Sequence, residues 1–162
     1  GNIVGGRPIH YVNAPVETIR EITTSILASG RAVWFGADCG QQSDRSSGLF
    51  VDGLYDYDAL FGVDFSTSKE QRVVSGESAM NHAMLFTGVD IDEAGQGRRF
   101  RVENSWGEEP GDKGFFTMDA PWFDANVFEV AVHVDDLPED LRAVVAEAPL
   151  HLPAWDPMGA LA

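Results

Sequence analysis

Two alternating runs joined by a turn constrain this chain more than any other feature. In residues 82–90, "HAMLFTGVD", His82, Met84, Phe86 and Gly88 point one way, and Ala83, Leu85, Thr87 and Val89 the other. In 98–105, "RRFRVENS", Phe100, Val102 and Asn104 share a face while Arg99, Arg101 and Glu103 take the opposite one. "EAGQG" between the runs is a turn signal, so the two are predicted to form an antiparallel hairpin with one apolar face. Paired positions in a hairpin have numbers that sum to a constant. His82 and Asn104 sum to 186, which puts the midpoint at residue 93, inside the connection. The start of one strand is therefore expected beside the end of the other.

The remaining chain supplies elements to cover that hairpin. Residues 15–29 read as a helix opened by Pro15, with Val16, Ile19, Ile22, Thr23, Ile26 and Leu27 along one side and Gly30 as the stop. Residues 32–37, "AVWFGA", form a short buried strand, and the polar, Gly/Ser-rich 40–53 a loop. "YDYDALFG" is expected to hold a short helix. Further strands are expected near 114–118 and 127–134, with helices at 120–125 and 138–148. Pro138 and two acids suit the positive end of the last helix. "PLHLPAWDPMGALA" carries three prolines and reads as an extended arm, residues 149–162. The fold class is α+β, an antiparallel, partly closed sheet with flanking helices.

A chain of 162 residues with 44% hydrophobic and 23% charged residues fits one soluble globular domain. Its 26 acids against 11 bases give a net charge of −15, which repels phosphate backbones and excludes nucleic acid as an expected partner. The cluster "RRFR", 98–101, is read as a solvated strand edge. The single cysteine, Cys39, allows neither an internal disulfide nor a thiolate cage. No apolar run approaches membrane-spanning length and no signal pattern opens the chain, so no membrane contact and a cytoplasmic location are expected. The chain starts without Met, in loop-like sequence, and reads as a piece of something longer.

The hairpin places a histidine and an asparagine at one rim. An asparagine that hydrogen-bonds an imidazole fixes its tautomer and orientation for proton transfer. Trp106, two residues further, is placed to cover that contact, and Gly107 to turn the chain away. The competing reading is a structural histidine and a turn-capping asparagine. No metal or cofactor is expected. "DIDEAG" opens like a calcium loop, but Ala94 and Arg101 fall where ligands belong. His10, His82, His133 and His151 share no ligand spacing, and "GNIVGGRP" lacks the Lys-Ser/Thr of a phosphate loop. Asp38 and Gln41 are candidates for lining a substrate path.

"NHAM" followed by "VENSWGEEPGDKGFF" resembles the histidine and asparagine motifs of papain-like cysteine peptidases. Within that group "GNIVGGRP", "AVWFGADCG", "LYDYDALFG", "GESAMNHAM", "RVENSWGE" and "LPAWDPMGALA" resemble the bleomycin hydrolase family over essentially the whole chain. The resemblance implies the barrel-bearing half of a papain-like fold. It makes His82 general base and acid, Asn104 its orienter and Trp106 their shield. Asn81 departs from the small polar residue expected before the histidine. The resemblance further implies aminopeptidase activity on peptide substrates through a thioester, homohexameric assembly when full length, and a nucleophilic cysteine in an N-terminal half absent here. It also puts Gly159, Ala160, Leu161 and Ala162 in the cleft, their carboxylate facing a substrate ammonium.

Cys39 fits that nucleophile poorly. It lies 43 residues before His82, lacks an aromatic follower, and leads into a polar loop rather than a helix. Two alternatives remain at this point: a non-catalytic binding or regulatory module, and a thiol acyltransferase using Cys39.

Overall fold

The computed structural model describes residues 4–6, 10–153 and 155–156. Helix α1, Val16–Ala28, follows Pro15 and turns Ile22, Ile26 and Leu27 inward. Thr23 and Thr24 are also buried, and each hydroxyl donates to the carbonyl four residues back, Ile19 (2.8 Å) and Arg20 (2.7 Å), which settles the polar cost of burying them. Gly30, at φ +84°, reverses the chain into β1, Val33–Ala37.

The loop expected at 40–53 contains two minimal strands, β2 (Ser43–Asp44) and β3 (Leu49–Phe50). Helix α2, Tyr57–Phe61, is capped by the Asp56 side chain, which accepts from Ala59 N. Helix α3, Lys69–Ser75, was not expected. Its Ser68 and Gln71 form a reciprocal capping box, a pattern legible in "SKEQ". The hairpin follows as β4, His82–Ile91, and β5, Gly97–Glu103. The chain then runs through β6 (Phe115–Asp119), α4 (Ala120–Asn126), β7 (Val127–Ala131), a 3-10 turn at Val134–Asp136, and α5 (Glu139–Val145). Strand 127–134 therefore ends three residues early.

These strands form one seven-stranded sheet in the order β2-β3-β6-β5-β4-β1-β7. The α+β class is as expected. The sheet is mixed rather than antiparallel throughout, because β3 pairs with β6 in parallel. "RRFR" does not lie on an edge: β5 is hydrogen-bonded on both sides, and its arginines occupy the sheet's exposed face, Arg98 paired with Asp90 at 2.7 Å.

Between the sheet and helices α1 and α4 lies an aromatic core. Phe35 stacks on Phe86 at 3.7 Å, and Phe86 meets Phe100 and Phe123 at 5.4 and 5.5 Å. Phe50 bridges Phe116 and Trp122, at 5.2 and 4.7 Å. All of these rings are buried, and burying one Phe is worth about 1.5–3 kcal/mol. Trp122 Nε1 donates to Gln41 O at 2.8 Å, so the loop after β1 is tied to α4. Among the described residues no helix is long and apolar enough to cross a membrane.

Candidate active site

The rim of the sheet where β1 ends and β4 begins carries the candidate residues. His82 is paired with Ala37 across β1 and β4. Asn81 N donates to Ala37 O at 3.1 Å, extending that ladder into the residue before the histidine. On the other side, β5 ends at Glu103, and Asn104 N donates to Gly114 O at 3.2 Å, which fixes its backbone against the loop before β6.

His82 Nε2 lies 2.9 Å from Asn104 Oδ1. That oxygen also accepts from Ser105 N at 2.7 Å, which identifies it as the acceptor, so Nε2 carries the proton and donates. In the neutral ring the lone pair then sits on Nδ1. Among the described residues Nδ1 has no partner, and Asn104 Nδ2 is buried without one. Trp106 stacks on the imidazole, centroids 4.9 Å apart and planes within 16°, and meets Phe116 edge-to-face at 5.8 Å. The indole thus covers one side of the imidazole beside the His82–Asn104 bond. Gly107, at φ +84°, takes the chain out of the rim immediately afterwards.

The pairing is diagonal. Leu85 faces Glu103 and Phe86 faces Val102, so these partners sum to 188, not 186. An irregularity between Phe86 and Gly88 shifts the register along the hairpin. The offset of two residues keeps His82 and Asn104 on one face, because side chains alternate with a period of two.

Asp38, Ser78 and Asn81 hold the segment leading into His82. Asp38 is 3% exposed. It accepts from Ser78 Oγ at 2.8 Å and from Asn81 Nδ2 at 2.6 Å, while Asn81 Oδ1 accepts from Cys39 N at 3.0 Å. Asp38 is therefore a buried strut rather than a path-lining residue; Gln41 is half-buried, its backbone carbonyl accepting from Trp122 Nε1 and its side-chain Nε2 donating to Glu77 O at 3.4 Å. Asn81 locks the chain before the histidine, a role the motif did not disclose. The half-buried Cys39 makes no bond to His82; burial pushes its thiol pKa up, and the Asp38 charge adds to the rise. A nucleophilic thiol needs the opposite environment. Gly159, Ala160, Leu161 and Ala162 lie outside the described residues. Within the described part of the arm, Leu150 and Trp155 are each 85% exposed.

The geometry can be set against known proteins. Residues 1–159 match the model of the Peptidase C1-like family. The chain is 46% identical to aminopeptidase C of Lactobacillus helveticus, over all of this chain and 36% of that protein. It is 44% identical to human bleomycin hydrolase, over 99% of this chain and 36% of that protein. The crystal structure of PepW from Lactobacillus rhamnosis HN001 superposes with a TM-score of 0.94 at 43% identity, covering all of this chain and 37% of that one. The chain thus spans little more than a third of the length of these relatives. A match running from the first residue to 159, with the fold shared at that level, means that the chain belongs to the Peptidase C1-like family.

Proposed function

We propose that this chain is the base-bearing part of a cysteine aminopeptidase whose nucleophilic cysteine is supplied by sequence outside it. The observation that carries this reading is the His82 Nε2–Asn104 Oδ1 bond of 2.9 Å, which leaves Nδ1 as the proton-accepting nitrogen. Nδ1 takes the thiol proton, and the thiolate adds to the carbonyl carbon of the first peptide bond. The imidazolium then donates that proton to the leaving amine as the C–N bond breaks, and a thioester remains. Water, deprotonated by Nδ1, attacks the thioester; the C–S bond breaks and the released acid carries the first residue. Asn104 holds the ring in the tautomer this needs, and Trp106 screens their bond from water.

Support for the aminopeptidase reading comes from the names of the relatives, aminopeptidase C among them. The ruler for single-residue release is proposed to be Gly159 to Ala162. Deleting them in the full-length protein should let an N-acetylated peptide be cleaved as well as its free-amine twin. An unchanged preference for the free amine would remove the arm from this role.

The nucleophile assignment is tested with an aminoacyl-amide reporter. The full-length protein should turn it over, lose activity to a thiol alkylator, and keep both properties in Cys39→Ala. The 162-residue chain alone should show no turnover. Turnover by the chain alone that Cys39→Ala abolishes would overturn the reading.

A further inference from the structure

The loop between β2 and β3 brings a cation to the rim. Asp44 spends its carboxylate on its own turn: Oδ1 accepts from Ser46 N at 2.9 Å and Ser46 Oγ at 2.7 Å, and Oδ2 from Ser47 Oγ at 2.6 Å. The Ser47 and then the Ser46 hydroxyl hold its pKa down at about 2. Gly48 (φ +70°) seats this turn against the loop before β6, where a Cβ would come within 2.6 Å of Gly111 Cα. Arg45, between these anchors, forms no ion pair among the described residues, although the chain carries a net charge of −15. Its guanidinium instead lies over the Trp106 ring, 4.8 Å from the centroid. The cation and His82 are therefore in contact with the same indole.

We propose that Arg45 binds the α-carboxylate of dipeptide substrates on the leaving-group side of His82. This rests on the peptidase reading above. If the imidazole protonates the leaving amine, the residue beyond the scissile bond must run past His82, and Trp106 is the ring beside it. The ring contacts of 4.9 Å and 4.8 Å place the guanidinium carbon no further from the imidazole centre than their sum. A proton-transfer contact at one end and a guanidinium–carboxylate contact of about 2.7–2.9 Å at the other leave room for at most about one residue between them. The carboxylate in reach is thus that of a dipeptide. A guanidinium is suited to it, because its planar fork matches a carboxylate while its face rests on the indole.

The test compares kcat/KM of the full-length protein on alanyl-leucine, on its C-terminal amide, and on alanyl-aspartyl amide, whose carboxylate is on the side chain. The unaltered protein should prefer the free dipeptide. Arg45→Gln should lower kcat/KM on it roughly tenfold or more, the worth of one charged hydrogen bond, and leave alanyl-leucine amide unchanged. Arg45→Lys, which keeps the charge but not the fork, should lose less. Equal losses on all three substrates, or none, would overturn the assignment and leave the peptidase reading standing. A loss confined to alanyl-aspartyl amide would assign Arg45 to an acidic side chain instead and overturn the dipeptide proposal. Failure of the unaltered protein to cleave any of the three would overturn both readings.

Discussion

Two places on the molecule gather polar side chains at the end of a structural element, and they finish differently. At the end of α4, Lys69 Nζ donates to the carbonyls of Asp124 (3.2 Å) and Val127, and Arg72 to Asn126 Oδ1 (3.0 Å) and Ala125 O (2.7 Å). The Asp124 and Ala125 carbonyls are ones that a helix terminus leaves without partners, and α3 delivers two cations that satisfy them together with Asn126 Oδ1 and Val127 O. At the rim, His82 and Asn104 bond each other, Asn104 Oδ1 also accepts from Ser105 N, and one nitrogen of each side chain is left over. Among the described residues, Nδ1 of one and Nδ2 of the other have no partner. A buried polar group left unpaired costs about 1–3 kcal/mol. Such a cost persists where something outside the chain completes the bonding. Lys69 and Arg72 of the clamp are half-buried, as are His82 and Asn104 of the rim, so burial of these side chains does not distinguish the two places. Remaining hydrogen-bonding capacity does.

The largest expected effect is on the rim. In the full-length protein His82→Ala should lower kcat/KM by roughly 10²–10⁴-fold, the usual worth of a general acid–base group. Its stability in urea should fall by only about 1–2 kcal/mol, since the imidazole gives up one hydrogen bond and one ring contact. Asn104→Ala should act through the same imidazole, so the double variant should be no slower than His82→Ala alone. Additive losses would mean that Asn104 has a separate task and would break the pairing proposed here.

The clamp should respond the other way round. Arg72→Ala strips the donor from Asn126 Oδ1, in a residue only 2% exposed. It should cost about 1–3 kcal/mol in urea unfolding of the chain. In the full-length protein, kcat/KM under folded conditions should be unaffected. A loss of activity without a loss of stability would mean that the clamp also positions the site.

How much of this could be read from the residues follows from the same physics. The hairpin was legible because Met84, Phe86, Phe100 and Val102 alternate without interruption, and one face must be buried. Its register was legible only in part: the sum of 186 missed the observed 188 at both ends of the ladder and 189 in its middle, since neither the seat of the turn nor the irregularities at Phe86/Gly88 and Asp90/Ile91 leave a mark in the alternation. At the rim end, where the sum is even, parity sufficed to bring His82 and Asn104 to one face. Helix α3 was missed because Lys69–Ser75 buries no residue and so has no apolar stripe, although Ser68 and Gln71 announce its start. Arg45 was illegible because its partner is 61 positions away, across a loop crossing set by Gly48 and Gly111. Local pattern reports local bonds; contacts between loops need the fold.

The smallest effect expected is a slope. Lys69 sits in the clamp with its pKa pushed down to about 8, first by burial, then by the neighbouring Arg72 charge, with Asp124 opposing. In the unfolded chain the same amine titrates near 10.4. Between about 8 and 10 the unfolded state therefore binds more protons than the folded state. Stability rises with pH there, by at most about 1.4 kcal/mol per unit. Physically, the ammonium loses a charge that burial penalises, while the neutral amine can still donate to the Asp124 and Val127 carbonyls. Tyr11 limits the window from above. Burial, followed by its hydrogen bond to Glu129, pushes its pKa up to about 12. Its contribution is present below the usual tyrosine value near 10 and is lost as pH climbs from there. The measurement is urea unfolding of the chain at several pH values from 8 to 10 in a Cys39→Ala background, because the raised thiol pKa of Cys39 would otherwise lower stability across the same window. The chain should gain stability across that range, and Lys69→Met should flatten the gain. A slope that survives Lys69→Met would move the titration to another group. A slope absent from the Cys39→Ala chain itself would mean that the ammonium is better solvated than its contacts imply, and the contrast between a saturated clamp and an unsaturated rim would weaken accordingly.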